Sequence, residues 1–315
     1  MIIAVLILVC SMLMFGCGGP ADTPATDSPD TSSGVSFSFL SNHEFSARED
    51  GLPGVQALYG FEFTDVEITS TGITYAALAD GLVDSAMGFA TDGRIAAWEL
   101  VNLVDDLNFF PVYNPAPVVR QEIVDQYPEV AEVLGPIAKA LDTETMTLMN
   151  MAVDVDGTQE EEVALTFLTD NGFVSGMPAQ GSKGPITIGS KQFTEQLILG
   201  QIAVLALRDA GFNVVDMTGL GGTLVCRESL ESGEIDMYWE YTGTAWIAIF
   251  TQDEPITDSD ECYNAVKELD AENGLVWLDY ALFDNTYTIM MRKAHADELG
   301  IVTISDLADY INENK

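Results

Sequence analysis

The sequence predicts a two-lobed α/β fold with a ligand cleft between the lobes, and three observations predict it. From Pro185 to Thr244 the chain reads strand, helix, strand, helix, strand with short joints, the pattern of a parallel sheet covered by helices. A shorter copy of that pattern lies upstream: Gly81-Leu-Val-Asp84 is followed by Phe89 eight positions after its glycine, and Gly233-Glu-Ile-Asp236 by Tyr241 at the same distance. The length, 315 residues with 47 % hydrophobic content, is enough for two such lobes. If each lobe offers one aromatic from the same strand exit, both rings line a common cleft, the usual place for a small-molecule site.

Taken in order, Met1 to Gly16 is apolar almost throughout. That run is shorter than the ~20 residues of a membrane span and suits the core of a secretory signal. Gly16 before Cys17 resembles a lipoprotein cleavage site, after which Cys17 would carry lipid; an ordinary secretory signal or an uncleaved anchor are the alternatives. Residues 17–35 are Gly, Pro, Ser, Thr and Asp with little to bury, a disordered tether. Residues 36–111 with 288–315 are expected to form one lobe, and residues 112–287 the other.

In the first lobe, Asp65 to Ile68 reads as a strand, Tyr75 to Asp80 as a helix stopped by Gly81, and Val83 to Phe89 as a second strand. Leu100 to Leu107 continues the pattern. Pro111, Pro115 and Pro117 keep the segment that follows out of helix, and it presents Tyr113. Helices are predicted over 129–141, 144–153 and 159–170, the last with Thr158 and Glu161 as a capping box. Met146, Met149 and Met151 are expected as core filling. Ser175 to Gly184 is a flexible joint.

The central unit then opens with a strand, 185–188, and Gly189-Ser-Lys-Gln-Phe-Thr-Glu195. Its first helix carries Ile198, Ile202, Leu205 and Ala206 on one face and stops at Gly211. A strand over 213–216, a helix over 224–231 and a strand over 235–239 lead to Glu240-Tyr-Thr-Gly-Thr244. Ligands of such sheets sit past the carboxyl ends of the strands, where Lys191, Tyr241 and Thr244 fall. A loop and helix follow over 257–274, then a strand over 275–279, the segment 284–289 and a helix from Ile304.

The formal net charge of −38 excludes a nucleic-acid binder, which needs a basic face. The acids are spread along the chain, as on a solvated surface. No cysteine or histidine spacing suggests a metal site, no cofactor is implied, and no nucleophile–base pair points to an enzyme. Cys226 and Cys262 are left either to pair as a disulfide or to stay as buried thiols. Trp239 and Trp246 are expected in the core.

Gly189-Ser-Lys-Gln-Phe-Thr-Glu195, Gly221-Gly-Thr223, Gly233-Glu-Ile-Asp236 and Glu240-Tyr-Thr-Gly-Thr244 together resemble the substrate-binding proteins of glycine betaine/choline ABC importers. The resemblance extends to Asn285-Thr-Tyr287, Ile304-Ser-Asp-Leu307, Arg48-Glu-Asp-Gly51, Ala90-Thr-Asp-Gly93 and Phe109-Phe-Pro-Val-Tyr113, in a rotated order. Residues 184–315 are similar to the family's front and 36–174 to its back. This implies a circularly permuted, type II periplasmic-binding-protein-like fold, with Ser175 to Gly184 joining the family's old ends. It also implies an aromatic cage of Tyr241, Tyr287, Phe89 and Tyr113, where Phe89 replaces the family's common tyrosine. Arg48, Lys191 and Thr244 match the positions that take a ligand carboxylate, with Asn285 beside them.

The implied function is that of an extracytoplasmic receptor, a lipid-anchored monomer on the outer face of the cell membrane. It would capture glycine betaine or a related quaternary ammonium osmoprotectant and hand it to an ABC permease and its ATPase. The alternatives are a receptor of choline or carnitine type, and a sensory or adhesion module that kept the fold without transport.

Overall fold

The structure, a computed structural model, describes residues 36–315. The apolar leader, Cys17 and the tether lie outside the described residues.

Two five-stranded mixed sheets form among the described residues. The first takes β1 (Ser38–Ser41), β2 (Asp65–Ile68), β3 (Ser85–Phe89), β4 (Leu100–Asn102) and β10 (Tyr287–Arg292) in the order β2-β1-β3-β10-β4. The second takes β5 (Pro115–Arg120), β6 (Lys183–Lys191), β7 (Phe212–Gly221), β8 (Met237–Tyr241) and β9 (Leu275–Trp277) in the order β7-β6-β8-β5-β9. The two orders follow one plan. In each, a first strand pairs in parallel with its second and third, and a strand arriving from the other half pairs antiparallel with the third and fourth. The chain crosses between the sheets twice, over 103–114 and 278–286.

The shared plan explains the repeated Gly-x-x-Asp sequence. In each copy the aspartate does not open the strand, as the sequence suggested; it stays in the turn and ties it to the first strand. Asp84 accepts from the Ser38 N–H at 2.9 Å, and Asp236 from the Thr187 N–H at 2.8 Å. The glycine before each takes the left-handed conformation that closes the preceding helix, with φ of +75° at Gly81 and +78° at Gly233. β3 and β8 therefore begin later than predicted, and Phe89 and Tyr241 are their last residues.

Local chemistry sets the helix starts. Asn42, Asp142, Asp258 and Thr303 each accept from the backbone three residues on. The predicted capping box at Thr158 is not formed: the helix Glu160–Asp170 has Gln159 at its cap without a side-chain bond, because Thr158 is drawn back by its own N–H to the Ala152 carbonyl. The capping box that does form joins Thr303 and Asp306. β7 is longer than expected and β9 shorter. Cys226 and Cys262 are buried free thiols, and burial pushes them up to about 12 and about 11.

Apolar packing divides by sheet. The helix Thr194–Asp209 lies against β6 and β7, with Ile198, Ile202, Leu205 and Ala206 in the core of the second half. Met146 and Met149 join them, whereas Met151 is half-buried. Trp239 is fully buried and Trp246 partly so. The first half's core, around Phe39, Phe45, Met87 and Ile289, runs without a break into Tyr113, Tyr241 and Tyr287.

Candidate functional site

A cavity of about 640 Å³ opens between the two halves, within the range of small-molecule sites. Tyr241, Tyr287, Phe89, Tyr113, Arg48, Lys191, Thr244 and Asn285 all border it. Strand register brings the rings together. Tyr287 opens β10 directly opposite Phe89 at the end of β3, and Tyr241 ends β8 opposite Pro115, two residues after Tyr113. Ring centroids lie 5.3 Å apart for Phe89 and Tyr287 and 5.5 Å apart for Tyr113 and Tyr287.

A fifth ring, Phe193, lies at the cavity wall and was not singled out from the sequence. It stacks on Phe89 at 5.2 Å and faces Tyr241 at 6.2 Å, so it bridges the two halves. Its place inside the Gly189 to Glu195 segment was the available signal.

Each of the two expected cations is paired with an acid. Arg48 forks onto Asp50, with Nε 2.7 Å from Oδ1 and Nη2 on Oδ2. Lys191 Nζ lies 2.6 Å from Glu240 Oε1, and both side chains are buried. Burial acts to lower the Arg48 guanidinium, but Tyr287 and Asp50 outweigh it and the net shift is upward. Both cations also sit over rings, Arg48 at 5.5 Å from the Tyr287 centroid and Lys191 at 5.2 Å from that of Tyr241. Tyr113 donates its hydroxyl to Asp50 at 2.6 Å. Burial, then Asp50, pushes that phenol well up, so it stays a donor.

The Asn285 amide donates to Glu195 at 2.8 Å, and Glu195 is the site's second feature missed by sequence reasoning. Glu195 is buried and faces the cavity. It accepts from Tyr241 Oη at 2.7 Å, Asn150 Nδ2 at 3.0 Å and Thr91 Oγ1 at 2.5 Å as well. Burial pushes its carboxyl above the ordinary range, and these hydrogen bonds act against that. An acid in a helix's first turn usually answers the helix dipole at the surface, so nothing local marked Glu195 as buried.

Contacts across the cavity join the halves. Thr91 and its carbonyl meet Glu195 and Asn150, Arg94 reaches Asp154 at 3.2 Å, and Glu44 accepts from the Thr223 N–H at 2.8 Å. Among the described residues no three or more His, Cys, Asp or Glu side chains group as a metal site would require, and no helix is long and apolar enough to cross a membrane.

At 44 % identity over 130 residues, the chain is similar to a glycine-betaine-binding protein of Pseudomonas aeruginosa, covering 41 % of each chain. It is 34 % identical over 147 residues to the glycine betaine-binding protein YehZ of Escherichia coli, covering 44 % of this chain and 48 % of that one. A chemotactic signal transduction system substrate-binding protein, CosB of Halobacterium salinarum, is 33 % identical over 135 residues, 40 % of this chain and 39 % of that one. The chain thus spans less than half the length of these curated relatives. A family profile, the substrate binding domain of ABC-type glycine betaine transport systems, matches residues 27–170 and 184–315. With most of its length matched, the chain belongs to that family of substrate-binding domains.

Proposed function

We propose that the protein is the extracytoplasmic solute-binding component of an ABC importer, and that it captures glycine betaine or a related quaternary ammonium solute for delivery to the permease. The observation that carries this reading is the convergence of five aromatic rings with Arg48 and Lys191 on one cavity. A quaternary ammonium has no N–H to donate, so ring faces are its best partners, at ~0.5–2 kcal/mol each. A carboxylate at the ligand's other end would take the remaining N–H groups of Arg48 and Lys191 and the Thr244 hydroxyl. Because Arg48 belongs to the first half and Lys191 to the second, such a ligand favours the state in which the halves meet.

We extend the proposal to the chain's order and anchorage. A circular permutation is supported by the family profile's two separate blocks, which leave out 171–183. It is supported too by the nearness of the ends, where Phe37 meets Tyr310 at 5.7 Å. Lipid on Cys17 would hold the domain, as a monomer, at the outer face of the membrane. The likeness to CosB favours a second reading, a receptor that passes the bound solute's signal to a chemotaxis partner.

Calorimetry with glycine betaine tests the site. Tyr241→Ala abolishes binding and Arg48→Ala weakens it by about tenfold, the loss expected for one charged contact. Unchanged affinity in both variants would discard the reading.

A further inference from the structure

Glu195 differs from the other acids that line the cavity or lie just behind its wall. Of those that line it, Glu44 is within 4.0 Å of Arg48, and Asp92 and Asp154 are matched by Arg94. Behind the wall, Asp50 is matched by Arg48 and Glu240 by Lys191. No cation lies within ion-pair distance of Glu195 among the described residues. Its four donors are all neutral: Tyr241 and Asn150 from the second half, Thr91 from the first, and Asn285 from the crossing segment. Hydrogen bonds from neutral groups replace water around a buried carboxylate but leave its charge uncancelled.

The position of that charge is informative. Tyr241 stands between opposite poles, with Lys191 over its ring and Glu195 at its hydroxyl. Because Lys191 is matched by Glu240 and Arg48 by Asp50, the charge left uncancelled around this ring is the negative one at the Glu195 end. The Asn150 amide oxygen, buried beside Glu195, has no hydrogen-bond partner among the described residues and adds partial negative charge on the same side. A carboxylate in a poorly solvated wall acts on a nearby cation far more strongly than it would in water.

We propose that Glu195 is the counter-charge for the ligand's onium group, and that it, beyond the ring faces, makes the site prefer a trimethylammonium cation to an uncharged group of the same shape. This rests on the reading of the cavity as a quaternary ammonium site. Glu195 also collects Thr91 from across the cavity, so the charge is fully held only when the two halves meet.

The test uses shape-matched probes on the full chain: glycine betaine against 3,3-dimethylbutanoate, and choline against 3,3-dimethylbutan-1-ol. Each pair differs in having nitrogen or carbon at the quaternary centre, hence in one positive charge. Wild-type protein is expected to bind each cationic member more tightly by at least about tenfold. Glu195→Gln, which keeps the shape and removes the charge, loses most of that preference, while affinity for the uncharged-head probes changes by less than about threefold. The double variant Glu195→Gln/Asn285→Asp exchanges donor and acceptor roles, returns the charge to the same cluster and restores the preference. Glu195→Gln that keeps the wild-type ratio overturns the proposal, and so does a folded double variant that lacks the preference even if the single variant fails to fold. Wild-type protein that binds none of the four probes overturns the quaternary ammonium reading and this proposal with it. Betaine binding with a ratio indifferent to Glu195 overturns this proposal alone.

Discussion

Lys191 and Arg48 reach the cavity already matched with acids from their own halves, Glu240 and Asp50. Such pairing fixes where each cation points and leaves its other N–H groups for a ligand. It also makes the pairs fragile when one member is removed, because an uncompensated buried charge is left behind. Glu240→Gln is expected to lower the free energy of unfolding by about 3 kcal/mol, read from urea denaturation. The family resemblance read from the sequence implied that Lys191, Arg48 and the four cage residues share one site. It did not show their partners. Lys191 and Glu240 are 49 positions apart and Thr91 and Glu195 are 104 apart, so no local pattern joins them.

Among the elements, the C-terminal helix Ile304–Glu313 shows how local signals succeed. Thr303 and Asp306 exchange bonds with each other's backbone, and the buried Ile304, Leu307, Ala308 and Ile311 face the first half's core. Thr303→Ala should cost about 1 kcal/mol of stability, measured by denaturant midpoint at constant slope. The Thr303 and Val302 N–H groups hold the Asp306 carboxyl below its ordinary range. Its contribution is therefore full above the unfolded-state pKa and fades as pH falls through the lower folded-state value. The same kind of signal failed at Thr158, where a matching sequence was outcompeted by a backbone bond to Ala152. Strand starts at β3 and β8 were misjudged for a related reason: Asp84 and Asp236 bond to a neighbouring strand, a contact that exists only once the sheets are built.

For the whole molecule, function depends on how closely the halves can approach. Gly93 lies against the helix Thr143–Asp154, and a Cβ there would come within 2.8 Å of the Met151 Cα and 2.9 Å of its backbone nitrogen. Backbone cannot give way as a side-chain tip can. Gly93→Ala is thus expected to reduce betaine affinity by about tenfold or more, measured by calorimetry, with little change in the melting temperature. The proposed permutation has its own test. A chain rewired to begin at Gly184, with Lys315 joined to Ser36 by a short flexible linker, should fold and bind as the original does, read by circular dichroism and calorimetry. A rewired chain that fails to fold would count against the permuted order.

The sequence by itself determined the α/β class, the helix stops at Gly81, Gly211 and Gly233, and the repeated plan of the two halves, while the residues expected at the cavity came from the family resemblance. The class, the stops and the plan follow from short-range causes, in which periodicity, caps and φ-permissive glycines act within a few residues. The tertiary structure alone decided which charges are neutralised, that Phe193 completes the aromatic wall, and that Glu195 is buried without a cation among the described residues. Burial and charge pairing are properties of surfaces brought together from distant parts of the chain, and they come into being only when the two halves close on each other.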